Sequence, residues 1–339
     1  NGRVIVSDAR DRIVQMLDFE SGEATQVGRE GQGPGEYSFP GGVYAAPRDS
    51  TLLYDPLNQR LLIIAPNGKP AGQHALRQEG GGRGPRVSGQ PRGTDARGHL
   101  YSQGTGFSMG PNGPETADSV PIIRYDRGTS RSDTLAFIRV AKGNASVSGG
   151  QGSTRVMMGM ANPFAPRDEW AVAPDGRVAV VTPEPYRVEW IAPNGARTAG
   201  PAIPTPRLEV TDADKKEIER QRAGGVSMVM TRTDGPGGAS AQARPSRATD
   251  LPPITDWPEY KPPFVGNAAT VAPNGELWVR RTRPTGDDAP FYDVFDGKGQ
   301  LVGHVRLPKG TRLAGFGKSS VYLVRLDADD LQYLQRYAL

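Results

Sequence analysis

Residues 169–204, EWAVAPDGRVAVVTPEPYRVEWIAPNGARTAGPAIP, admit few folds. The stretch reads as four short strands in a row: Trp170 to Ala173, Arg177 to Thr182, Tyr186 to Ala192, and a weaker one from Arg197 to Ile203. Pro174-Asp175-Gly176, Pro183-Glu184-Pro185 and Pro193-Asn194-Gly195 separate them. Asp-Gly and Asn-Gly between apolar runs are strong hairpin signals, and a type I′ turn needs positive φ at both central residues. Four antiparallel strands in a meander make a sheet with two apolar faces, which needs neighbours of its own kind to bury both.

The neighbours are present. The tetrad Ala-Pro-Asn/Asp-Gly recurs at Ala65–Gly68, Ala173–Gly176, Ala192–Gly195 and Ala272–Gly275, each time between strand-like runs. Four-stranded repeats of roughly 40 to 50 residues are the mark of propeller blades. The expected fold is therefore all-β: a six-bladed β-propeller of four-stranded antiparallel blades, forming one domain over residues 1–339. Blades are expected at about 1–28, 39–76, 93–138, 168–204, 264–308 and 310–339, with a helix-containing insertion at 205–263. The first blade lacks its innermost strand and the last its outermost. Both are expected to come from residues upstream of Asn1 or to be absent.

Composition excludes several functions. Cysteine is absent, so disulfides, thiolate chemistry and Cys-ligated metal are ruled out. His74, His99 and His304 lie in different units with no paired spacing, which argues against a histidine-built metal site. A net charge of +4 is too diffuse to suggest nucleic-acid binding, and no apolar run reaches the roughly 18 residues of a membrane span. The 44 glycines and 31 prolines fit a chain built of turns.

The segment Gly28 to Pro40, GREGQGPGEYSFP, joins the first two blades. With VSDARDRIVQMLDFESGEATQV before it and LLYDPLNQRLLIIAPNGKP after it, the chain resembles the NHL-type six-bladed propellers of bacteria. It resembles most the extracytoplasmic group bearing Gly-x-Gly-x-Gly-Pro-Gly-Glu-Phe/Tyr, matched here by Gly31, Gly33, Pro34, Gly35, Glu36 and Tyr37, with Arg29 before them. That resemblance implies a fold and an extracytoplasmic location (periplasm, outer envelope or secreted), not a reaction. The motif itself reads as scaffold. Its glycines permit unusual φ/ψ, Glu36 is placed to accept backbone N–H groups, and Tyr37 is placed to wedge between blades. The alternative is that Glu36 and Arg29 face the channel as ligands.

In each blade the strands run A to D from the channel outward. A–B and C–D turns share one face, and B–C and D–A connections share the other. Every long segment here is of the second kind: 28–40, 77–94, 104–120, 139–167, 205–263 and 282–290. Long loops on a rigid scaffold are where binding usually resides. Candidate partner-binding residues on that face are Arg83, Arg86 and Arg92 of a glycine-rich loop, Tyr186 of the central unit, and Trp257 and Tyr260 of a proline-rich run. The two last either form a ligand platform or pin the insertion. Thr211 to Arg222 reads as a capped, solvated helix, and Gly235 to Ala248 as disorder-like in composition. Catalytic residues are not identified. Asp95, Asp168, Glu169 and Asn267 are placed near the starts of A strands, where oxygen ligands could hold Ca²⁺ or simply cap strands. The expectation is a non-catalytic binding or assembly module for a protein or polysaccharide. A Ca²⁺-dependent lactonase- or lyase-like enzyme and a structural subunit of a surface assembly are the alternatives.

Overall fold

A computed structural model describes residues 2–76, 87, 89–110, 113–141, 145–150, 153–158, 161–223, 226–235, 238–247, 253–327, 329 and 331–339. Arg83 and Arg86 lie outside these residues. Six antiparallel sheets form the propeller. The first has three strands, Arg3–Asp8, Ile13–Asp18 and Ala24–Gln26. Four strands each make the second (Gly42–Ala46, Ser50–Asp55, Arg60–Ile64, Pro70–Ala75) and the third (Gly93–Thr94, Leu100–Gln103, Ser119–Asp126, Arg131–Arg139). The fourth (Glu169–Val172, Val178–Pro183, Tyr186–Ile191, Arg197–Ala199) and fifth (Ala269–Val271, Leu277–Arg280, Phe291–Phe295, Leu301–Arg306) also have four. Thr311–Gly317, Ser320–Leu326 and Gln332–Ala338 make a three-stranded sixth. Neither three-stranded sheet gains a fourth strand from the described residues. No described helix is long and apolar enough to cross a membrane.

The repeated tetrad builds one turn four times, and it is not the type I′ turn expected. Each glycine N–H donates to the tetrad's alanine carbonyl at 2.8–2.9 Å, and only the glycine has positive φ, between +80° and +86°. Proline at the second position fixes φ near −65°, which type I′ cannot accept. The result is a type I turn closed by a left-handed glycine. The Asn or Asp oxygen then accepts the N–H two residues on: Asn67 from Lys69, Asp175 from Arg177, Asn194 from Ala196 and Asn274 from Glu276.

The core lies between blades. Val14, Leu53, Leu62 and Tyr37 join the first two, and Leu52, Leu61, Leu100 and Tyr125 the next pair. Trp170, Ile122 and Val180 join the third and fourth, Tyr186, Trp190 and Phe295 the fourth and fifth, and Trp278, Tyr292 and Leu323 the fifth and sixth. The ring meets itself where Phe19 packs on Tyr322, 5.6 Å between centroids. Burial of large side chains at the five junctions from the first blade to the sixth contributes roughly 1.5–3 kcal/mol each, so the ring is held by contacts between sheets.

Two parts of the insertions differ from expectation. Gly238–Arg247, expected to be disorder-like, is a strand paired with Val226–Gly235. Val226–Gly235 also pairs with Ser153–Met158, which pairs with Ala145–Gly150, giving one sheet from two separate insertions. Backbone pairing across insertions supplies order that composition does not signal. The helix Asp212–Ala223 is present as expected, but it is not simply solvated. Asp214, Ile218 and Arg222, spaced four apart, form a buried stripe, and Ile218 packs against Phe164 and Ile254.

Candidate functional site

On the long-loop face, between the fourth blade and the insertion, lies an open cleft of about 400 Å³. Its walls carry Pro166, Pro183, Pro185, Pro206, Pro262 and Pro263. Tyr186 and Ile203 also line it, and Glu184, Thr205, Arg207, Tyr260 and Lys261 supply its polar side chains. Two of the expected binding residues, Tyr186 and Tyr260, thus meet there, although 74 residues separate them in sequence.

Local structure explains how each wall is placed. Pro183-Glu184-Pro185 is the B–C turn of the fourth blade, closed by the Thr182 hydroxyl donating to the Pro185 carbonyl at 2.7 Å. Leu208–Glu209 pairs with Tyr260–Lys261, bringing the start and end of the insertion together. Arg207 lies 5.3 Å above the Tyr260 ring, a cation–π contact at the rim. A hydrogen bond to the Glu259 carboxylate, and its negative charge, push the Tyr260 phenol up, so it stays protonated.

Lys261 is tied down rather than available. Its ammonium donates to Asp214 at 2.7 Å and to Thr285 at 3.2 Å, and its side chain is 3% exposed. Thr285 also donates to Asp214, and the Thr211 N–H and hydroxyl donate to its other oxygen. Burial alone would push the Asp214 carboxyl up. The bonds from Lys261, Thr285 and Thr211 outweigh it and hold the carboxyl at about 2. This cluster locks the helix to the long B–C loop of the fifth blade.

Beneath the cleft, Asp293 is fully buried and accepts three donors. Tyr186 Oη and Arg281 Nη1 reach Oδ2 at 2.8 and 2.7 Å, and His304 Nδ1 reaches Oδ1 at 2.8 Å. Burial, then the Asp293 charge, push the Tyr186 phenol up. Tyr186 is itself 2% exposed, so it contributes shape to the cleft while its hydroxyl is committed to Asp293. Asp293 and Arg281 sit on ordinary-looking strands, and no local sequence signal marks them.

The other expected residues lie apart from the cleft. Trp257 packs on Phe164, 6.3 Å between centroids, and is half-buried. Arg92 donates to Glu169 at 2.8 Å and stacks on Trp170, so it bridges the third and fourth blades. Asp168 accepts the Arg139 N–H at 2.8 Å, and burial pushes its carboxyl up. Asn267 is exposed, with φ +59°. Arg139 lies 3.7 Å from Asp168 and Arg92 pairs with Glu169, and no group of three His, Asp or Glu side chains that could hold a metal gathers among the described residues. Asp95 is not at the start of an A strand. It follows Gly93–Thr94 in the A–B turn on the opposite face, where it accepts the N–H groups of Arg97 and His99, His99 Nδ1 and the Tyr101 hydroxyl.

The glycine-rich motif lies at the outer junction of the first two blades, beside a second cleft of about 570 Å³ lined by Arg29, Glu36, Pro70 and Gln73. Glu36 accepts the Gly33 N–H at 2.8 Å and Arg29 at 2.6–2.7 Å, which hold its carboxyl below the usual range. A Cβ on Gly31 would overlap that carboxylate. Gly35 has φ +76°, and Pro34 precedes it. Tyr37 is 1% exposed in the core between the first two blades.

No family model matches the sequence, and no curated protein matches it. Among solved structures, the chain is similar to a candidate exported protein from Bacteroides fragilis, with 10% identity over 96% of this chain and 77% of that one and a TM-score of 0.43. It is similar to virginiamycin B lyase from Staphylococcus aureus, with 10% identity over 95% and 87% and a TM-score of 0.33. It is also similar to a calcium-binding regucalcin from Agrobacterium tumefaciens, with 14% identity over 98% and 85% and a TM-score of 0.32. Identities and TM-scores this low carry no argument about function.

Proposed function

We propose that this propeller is a non-catalytic binding or assembly module that holds a protein or polysaccharide on its long-loop face. One observation carries the reading. The insertions after the third and fourth blades leave the ring on the same face and pair with each other through Ser153–Met158 and Val226–Gly235. A further insertion-end ladder then frames the cleft containing Tyr186 and Tyr260. Unselected loops have no reason to build a shared sheet and a framed cleft on one face while the other keeps tight turns. The likeness of GREGQGPGEYSFP to the NHL-type extracytoplasmic propellers supports an envelope or exterior location. The calcium-dependent enzyme and the purely structural subunit have no observation of their own in their favour.

The test compares two faces. Tyr260→Ala and Arg207→Glu alter the loop face, while Lys69→Glu and Asn194→Ala alter the tight-turn face. Binding to a solubilised cell-envelope fraction is measured by biolayer interferometry. Loss confined to the first pair is expected, and loss confined to the second would overturn the proposal.

A further inference from the structure

The cleft's chemistry selects among ligands. Its volume of about 400 Å³ falls in the roughly 300–1,000 Å³ range of small-molecule pockets. Six prolines line it, and proline carries no N–H, so the backbone of the walls is rich in acceptors and poor in donors. A polypeptide segment presents one donor and one acceptor per residue, and when it adds to a strand edge it needs N–H groups on the wall. With six of the thirteen lining residues proline, these walls interrupt that pattern. A polyhydroxylated ligand can meet them, because each hydroxyl both donates and accepts.

The side chains agree. Tyr186 and Lys261 are committed to Asp293 and to Asp214 with Thr285, leaving Glu184, Thr205, Arg207 and Tyr260 to meet a ligand. Glu184 is exposed and accepts hydroxyl donors. Arg207, held over the Tyr260 ring, donates to ring or hydroxyl oxygens. Arg207 covers one face of Tyr260, so the proline rings and the other Tyr260 face are the flat apolar surface for the C–H face of a sugar. Of the charged lining side chains, Lys261 is paired with Asp214 and Glu184 and Arg207 are opposite in sign, while Glu259 is bonded to the Tyr260 hydroxyl, so the cleft has no cationic surplus for an anionic ligand.

Resting on the binding-module reading above, we infer that the cleft is a subsite for a neutral oligosaccharide, with one sugar ring on Tyr260 and hydroxyls shared between Glu184 and Arg207.

Calorimetric titration of the full chain with cello-, malto-, manno- and xylo-oligosaccharides at millimolar concentration tests this. Saturable binding of at least one is expected, unchanged when salt is raised because no ion pair with the ligand is involved. Tyr260→Ala should weaken it by about tenfold or more, and Tyr260→Phe should retain it. Glu184→Gln provides a second variant on an exposed turn, with melting temperature checked for each protein. If none of the four sugars binds while a peptide or protein partner is lost with Tyr260→Ala, the sugar assignment fails and the loop-face reading stands. If binding of any partner is indifferent to Tyr260, Arg207 and Glu184, both fail. Strongly salt-dependent binding of a polyanion in place of the neutral sugars also overturns the assignment.

Discussion

Removing the Asp293 carboxylate should be among the most damaging single changes in the molecule. Asp293 is 0% exposed, and the side chain of Arg281, its ionic partner, is 13% exposed. Asp293→Ala leaves that guanidinium without its counter-charge and the Tyr186 hydroxyl without an acceptor. Breaking one side of a buried pair costs about 3–5 kcal/mol. Asp293→Asn keeps the shape and one acceptor oxygen. It loses charge assistance in two bonds, and since charged hydrogen bonds exceed neutral ones by roughly 1 kcal/mol each, the cost should be about 2 kcal/mol. Tyr186→Phe removes one donor and leaves the ion pair, costing about 1 kcal/mol. His304→Ala provides a control: its side chain is 51% exposed, and pairs of that kind contribute roughly 0–1 kcal/mol. Urea unfolding at constant slope reads the series as midpoint shifts. The expected order of destabilisation is Asp293→Ala, Asp293→Asn, Tyr186→Phe, His304→Ala. An Asp293→Ala cost below about 1 kcal/mol, or a His304→Ala cost equal to it, would refute the argument that this buried carboxylate holds the fourth and fifth blades together.

Three further outcomes are expected. Gly195→Val should cost on the order of 1 kcal/mol or more, because its φ is +86°, and Asn194→Val should cost less, losing only the bond from the Ala196 N–H; equal thermal shifts would contradict the turn geometry. Gly200→Ala should cost roughly 1–3 kcal/mol, since its Cβ would overlap the Gly299 carbonyl, whereas Gly303→Ala meets nothing within 4 Å; similar unfolding midpoints for the two would rule out the close approach. The folded Asp214 carboxyl is held at about 2, below its ordinary 3.8, so its stabilisation is complete above about pH 4 and is lost as pH falls through about 2. The difference in melting temperature between the wild type and Asp214→Asn should therefore shrink over that interval, and a pH-independent difference would refute the linkage.

The propeller was legible because its punctuation is local. Pro-Asn/Asp-Gly fixes a turn without help from distant residues, and its recurrence announces the blades. Asn-Gly alone points to a type I′ turn, and the proline before it excludes that type. Distance in sequence hid the rest. Ser153–Met158 and Val226–Gly235 pair across two insertions, and the partner strand Gly238–Arg247 is made of small and polar residues that resemble an unstructured segment. The helix reads as solvated because its docking face includes Asp214 and Arg222, whose burial depends partly on a lysine 47 residues away from Asp214. Tyr186 and Tyr260 were recognisable as aromatics on the elaborated face. Their convergence depends on the ladder between Leu208–Glu209 and Tyr260–Lys261, two residues a side, too short to leave a pattern.

Hydrogen–deuterium exchange of the full chain, alone and with a solubilised envelope fraction that it binds, asks most directly whether the long-loop face is the binding face. Protection is expected in residues 182–186, 203–210 and 258–266, with exchange unchanged in the turns at 65–68, 173–176, 192–195 and 272–275. Protection confined to those turns, with the cleft segments exchanging as before, would contradict it.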